Sequence, residues 1–201
     1  GELSLERTHT KLRVGYDVLK NYTYFGIQND RTLSGDNYLV QHNQLNVRQS
    51  GSPISLLTLQ LQQNLRFGIF NWENVLTLQK SSKDDILPVP TFNAYSNLFI
   101  RFRIARVLHC DFGVDMRYFT SYYAPEYIPG IGAFGIQETA ASRTKIGNYP
   151  VLDAYSHFRL HHTRFFFMFS HFNSSSGGNY FFTPPYPLTQ RLLIFGLSST
   201  F

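Results

Sequence analysis

Residues 98–117 read LFIRFRIARVLHCDFGVDMR, and their alternation decides the fold. Leu98, Ile100, Phe102 and Ile104 are interleaved with Arg101 and Arg103. After a break at Ala105–Val107, Leu108, Cys110, Phe112, Val114 and Met116 are interleaved with His109, Asp111, Gly113, Asp115 and Arg117. A period of two sends successive side chains to opposite faces of an extended chain, so one face is oily and the other ionic. A helix would need apolar residues three and four apart, which this stretch does not supply. It predicts two antiparallel strands joined by a short turn.

The same pattern spreads outward in both directions. Upstream, Leu12, Val14, Tyr16 and Val18 alternate with Arg13, Gly15 and Asp17. Leu57, Leu59, Leu61, Leu65 and Phe67 alternate with Thr58, Gln60, Gln62, Asn64 and Arg66, and Phe70, Trp72, Leu76 and Leu78 with Asn71, Glu73, Thr77 and Gln79. Downstream, Leu152, Ala154, Phe158 and Leu160 alternate with Asp153, Tyr155, His157 and Arg159. Several of these segments reach ten residues, against about five to six for an ordinary strand. A tilted strand needs about 9–11 residues to cross the hydrocarbon of a bilayer. Arg164 to Phe172 is apolar on both faces, and the last strand sets Leu192 and Ile194 against Leu193 and Phe195, so alternation alone leaves their facing open.

Composition narrows the choice. Of 201 residues, 15% are charged and 16% aromatic, the reverse of a disordered chain. The densest apolar run, Phe165 to Phe169, spans five residues, far below the ~18 of a membrane-spanning helix. The single cysteine, Cys110, excludes an internal disulfide and a cysteine-built zinc site. The net charge of +5 comes without any run of five like charges, which excludes a basic tail. Gly1-Glu2-Leu3-Ser4 carries no export signal. The expectation is that a leader has been removed or that the chain starts downstream of its original end.

Connections alternate in length. Short turns fall near Phe67–Phe70, Ile104–Val107 and Leu160–Arg164. Long polar or Gly/Pro-rich stretches occupy Gly26–Ser52, Lys80–Thr91, Ser121–Pro150 and Asn173–Leu188. Short turns at one end and long loops at the other describe an all-β, up-and-down antiparallel transmembrane barrel. About nine strands are counted, including a short piece at Glu2–Arg7. Bacterial single-chain barrels have even numbers, so the chain is expected to be the C-terminal part of a larger barrel lacking its N-terminal strands. No interdomain linker is visible, and residues 1–201 are expected to form one barrel segment.

Periodicity does not say which face is wet. Arginine near the bilayer midplane costs about 2–4 kcal/mol. Several together would exceed the ~5–15 kcal/mol stability of a domain. In a membrane the polar face must therefore point inward. Aromatics near strand ends (Tyr22, Tyr24, Phe25; Tyr118, Phe119, Tyr122, Tyr123; Tyr180, Phe181, Phe182, Tyr186) are expected to form interfacial girdles. Leu193, Phe195, Leu197 and Phe201 resemble the terminal signature by which the barrel assembly machinery reads outer-membrane proteins, with Ser199 departing from it.

Four stretches carry a further resemblance: RYFTSYYAPEY (Arg117 to Tyr127), KIGNYPVLDAY (Lys145 to Tyr155), RFFFMFSHFN (Arg164 to Asn173) and NYFFTPPYPLTQR (Asn179 to Arg191). Weaker similarity runs through ILPVPTFNAYSNL (Ile86 to Leu98) and LKNYTYF (Leu19 to Phe25). Together they resemble a Bacteroidetes-type putative porin family, whose members are considerably longer. The resemblance implies an outer-membrane barrel with pore activity and carries over no catalytic residues.

The lumen-facing candidates are Arg13, Asp17, Arg66, Glu73, Arg101, Arg103, Asp111, Asp115, Arg117, Asp153, His157 and Arg159. They fit a charged pore wall that ranks ions by sign. They equally fit a filled interior whose Arg and Asp pair across strands. No catalytic, cofactor or metal site is expected. His161 and His162 are adjacent and project apart; Asp84-Asp85 lacks the alternating oxygen ligands of a calcium loop. Ser156-His157 and Ser170-His171 point to opposite faces, so no triad forms. The Ala124–Gly135 loop has no phosphate-loop lysine, and nucleic acid is not an expected partner.

The sequence thus points to a Gram-negative outer-membrane porin in contact with lipid and passing small hydrophilic solutes. The alternatives are a non-conducting barrel subunit working with other envelope proteins, and a soluble lipid-binding barrel with Leu57 or Phe102 inside a cavity.

Overall fold

The computed structural model describes residues 1–5, 8–33, 39–139, 143–174, 180–184 and 186–200. The strands are β1 (Glu2–Leu5), β2 (Thr10–Leu19), β3 (Thr23–Leu33), β4 (Leu39–Gln49), β5 (Ile54–Phe67), β6 (Phe70–Ser81), β7 (Phe92–Ile104) and β8 (Leu108–Phe119). They continue as β9 (Glu126–Ile128), β10 (Ala133–Gln137), β11 (Val151–Leu160), β12 (Thr163–Ser170), β13 (Phe181–Thr183), β14 (Tyr186–Pro187) and β15 (Leu192–Ser199). There is no α-helix among the described residues.

Nine strands form one sheet in the order β1-β2-β5-β6-β7-β8-β11-β12-β15, every neighbouring pair antiparallel. The number agrees with the strand count expected from the alternation. β5, β7 and β8 run to 14, 13 and 12 residues. The short connections lie at one end. At Gly68-Ile69, where Phe67 pairs with Phe70, Gly68 takes φ of +61°, a left-handed conformation that costs glycine little. At Ala105-Arg106 both residues are left-handed and Val107 N donates to Ile104 O.

The opposite end differs from the loops read there. Gly26–Ser52 largely forms a hairpin, β3 with β4, in register from Thr23↔Gln49 to Leu33↔Leu39. Ser121–Pro150 contributes β9 and β10, and β10 pairs with β3 in parallel, Gly135 against Phe25. The result is a four-stranded second sheet, β4-β3-β10-β9, so the pairing is not antiparallel throughout. Gln137 pins this structure. Its amide donates to Ala124 O and Thr144 O, and its carbonyl oxygen accepts from Thr144 N.

Register settles what alternation left open. Phe165, Phe167 and Phe169 pair with Leu197, Phe195 and Leu193, which joins them to the apolar face. Phe166, Met168, Leu192 and Ile194 fall on the other face.

The expected closed barrel is not formed by the described residues: β1 and β15 are the two edges of an open sheet and do not pair with each other. Among the described residues nothing covers the apolar face. Val14, Leu57, Trp72, Leu98, Val114, Phe167 and Phe195 are all exposed. The chain presents 13,624 Å² to solvent, where a compact monomer of 23.3 kDa would present about 9,700 Å². A sheet this wide whose apolar face lies open is a wall and not a globule. Leu57 is exposed, and Phe102 stacks on Phe112 on the apolar face.

Candidate functional site

Strand register brings every expected lumen-facing residue to one face of the sheet. Arg13 pairs with Gln60, which pairs with Thr77. Glu73 pairs with Asn97, Asn97 with Asp115, and Asp115 with Asp153. Arg101 pairs with Asp111 and Asp111 with His157; Arg103 pairs with His109 and His109 with Arg159. Arg117 lies beside Tyr95 and Val151, Arg66 beside Asn71, and Asp17 beside Leu56, all with the same parity. A one-residue slip of any strand would have sent its members to the other face.

Along β7, β8, β11 and β12 this polar face is banded. Nearest the short turns is a basic row: Arg103, His109, Arg159 and Arg164. Next come Arg101, Asp111, His157 and Phe166. Arg101 grips Asp111 through two hydrogen bonds, Nε at 2.8 Å and Nη2 at 3.0 Å. The middle row is Phe99, Gly113, Tyr155 and Met168. A Cβ on Gly113 would stand 2.6 Å from the Tyr155 ring, so the glycine is the slot that lets this ring lie flat on the sheet. Gly196 receives the Phe166 ring in the same way. Tyr155 Oη then donates to Asn97 Oδ1 at 2.9 Å.

The fourth row is acidic: Asn97, Asp115 and Asp153, with Glu73 beside them. Asp153 is 3% exposed; its Oδ1 accepts from Ser170 Oγ and from His171 N, both at 2.7 Å. Arg117 Nη2 lies 3.5 Å from both Asp115 and Asp153. Arg117 thus bridges Asp115 on its own strand and Asp153 on the neighbouring one.

Beyond the acidic row the chain covers its own polar face. Tyr180, Phe181, Phe182 and Leu188 lie against Arg117, Phe119, Tyr149 and Val151 around a cleft of about 170 Å³. Tyr149 and Tyr180 stack at 3.7 Å between ring centroids. Tyr149 Oη donates to Asn173 O and contacts His171 Nε2 at 2.9 Å, while His171 Nδ1 meets Thr189 O at 2.6 Å. Thr183 ties the segment to Pro125 O. Phe119, Tyr180 and Phe181 therefore lie at this cover on the polar face, while Phe182 stays exposed. Tyr118 lies beside Phe92 on the apolar face. Burial raises the Tyr122 phenol above its usual pKa, so the ring packed edge-on against Phe119 stays neutral.

On the apolar face Cys110 is fully buried between its neighbours Phe102 and Phe158, the setting of an unreactive thiol. Leu193, Phe195 and Leu197 project from the edge strand β15 on that face, 65%, 74% and 63% exposed; Phe201, the last member of the terminal signature, lies outside the described residues. Among the described residues no group of three or more His, Cys, Asp or Glu is placed to hold a metal. Asp84 pairs with Lys80 at 3.1 Å.

Sequence reasoning missed Arg164 and His109 as members of the basic row. The turn that pairs Leu160 with Thr163 also places Arg164 opposite Arg159, so hairpin register was the signal. A family model described as putative porin matches residues 1–201. No curated protein and no solved structure matches the chain.

Proposed function

The chain belongs to the putative porin family, and from that premise we propose that it forms part of the wall of an outer-membrane β-barrel that passes small hydrophilic solutes passively. One observation carries the reading: a single nine-stranded sheet with an exposed apolar face and, on its other face, all the candidate arginines and acids. Lipid is the solvent that suits the first face and water the second. The free edges of β1 and β15 pair with further strands to close the wall, since unpaired edges are not tolerated in hydrocarbon. β15, with Leu193, Phe195 and Leu197, is the strand that engages the barrel assembly machinery. The home of such a wall is the outer membrane of a Gram-negative bacterium, of Bacteroidetes type by resemblance.

The banded face gives the mechanism. Solutes pass the arginine row and the mixed Arg101–Asp111 row, then the narrower zone where Tyr180, Phe181 and Leu188 lie over Arg117 and Val151. Ions are sorted by sign at the charged rows, and size is limited at the cover. Planar-bilayer recording of the full-length protein tests this: stable single-channel steps are expected.

The same inner cover favours a second reading, a non-conducting barrel subunit of an envelope assembly. Bilayers that stay silent, with a partner protein co-purifying, select that reading over the pore.

A further inference from the structure

We propose that the basic row at the short-turn end is a binding site for small oxyanions, with phosphate-bearing solutes as its ligand class; access of such solutes rests on the pore reading above. The site is a hollow of about 460 Å³ lined by Arg101, Arg103, His109, His157, Arg159 and Arg164, with Asp111 as its sole acid. Three features point to an anion. First, Arg103, Arg159 and Arg164 have no carboxylate within ion-pairing distance among the described residues, and Asp111 is already taken up by Arg101. Second, the row sets like charges directly opposite one another: Arg159 faces Arg164 across the strand pair, and the neighbour of Arg159 on its other side is a histidine and not an acid. Cross-strand neighbours have Cβ atoms about 4.5–5.5 Å apart, and like charges so placed destabilise a sheet unless something neutralises them. Third, the other charged rows of this face show the alternative: there Arg117 sits between Asp115 and Asp153.

A tetrahedral oxyanion is the complement such a row lacks. Guanidinium groups from neighbouring strands offer paired N–H donors that match the oxygens of phosphate better than a point cation would. The hollow suits a small solute, and it lies on the face opposite the apolar one, so a lipid headgroup is not its occupant. Anions of higher charge are held longer than chloride, which makes the row a retention site within a conducting path.

The test uses the full-length protein with inorganic phosphate as probe, at about 0.1 M KCl to limit screening. In planar bilayers, phosphate is expected to reduce chloride conductance saturably. The triple variant Arg103→Gln, Arg159→Gln, Arg164→Gln raises the half-blocking concentration about tenfold or more. Asp111→Asn, which removes the sole acid, lowers it instead. Lys80→Gln, a charge lost at the other end of the sheet, leaves it unchanged. Equilibrium dialysis of the detergent-solubilised protein with labelled phosphate separates the site from the pore. Binding that depends on the arginines in a protein giving no channels upholds the site and removes the pore. Wild-type protein that binds no more phosphate than the triple variant overturns the inference, and so does a half-blocking concentration equal in the two.

Discussion

The two ends of the polar face are built from the same strands and the same kinds of residue, yet they satisfy their charges in opposite ways. Near the loops Asp153 is buried and accepts two hydrogen bonds, Asp115 and Arg117 are its neighbours, and Tyr180, Phe181 and Leu188 lie over the surface. Near the turns Arg103, Arg159 and Arg164 stand in an open hollow without an acid of their own. Groups that are buried and satisfied hold a fold together, because removing one strands its partners. Groups that are exposed and unsatisfied contribute little to stability and are free to meet a solute. Structure is thus concentrated at one end of the wall and selectivity at the other.

That division can be broken by experiment. The largest effect is expected from Asp153→Ala, which leaves the buried His171 N–H and the Ser170 hydroxyl without their acceptor. It should cost about 2–4 kcal/mol, read as a lower midpoint of urea unfolding in detergent. A smaller loss, about 1–3 kcal/mol, is expected from Gly113→Val, because the new side chain displaces the Tyr155 ring; the same unfolding assay reads it. The smallest is expected from Arg103→Glu combined with Arg159→Glu, about 1 kcal/mol or less. That variant should instead move the reversal potential in a salt gradient toward cation selectivity. If it unfolds as readily as Asp153→Ala, or if its selectivity matches wild type, the two ends do not differ in the way described.

How much of this was readable in the sequence depended on whether each face held one kind of residue. Between Leu98 and Arg117 it largely did, and strand, turn and facing followed directly. β12 and β15 were opaque because their inner residues are also apolar: Phe166 fills the slot over Gly196, and Met168 pairs with Ile194 beside Tyr155. The β3–β4 hairpin read as a loop for a different reason. Its hydrogen bonds are local and backbone-made, and its oily stripe is short: Phe25 and Ile27 pair with Val47 and Leu45, and the next pair, Gln28 with Gln44, is already polar. The inner cover had no local signature at all, since it depends on Tyr149 meeting Tyr180 and Thr183 meeting Pro125. The charged candidates emerged as a set from parity alone, while their banding required register.

The chain holds a single tryptophan, Trp72, which projects from the apolar face, 44% exposed, with its indole N–H donating to Ser96 Oγ. Its fluorescence in vesicles reports directly on whether that face meets lipid. With the full-length protein reconstituted into bilayers of brominated phospholipid, strong quenching by the acyl chains and little by aqueous iodide is predicted. Emission untouched by the bromines and readily quenched by iodide would contradict a wall whose oily side faces the membrane.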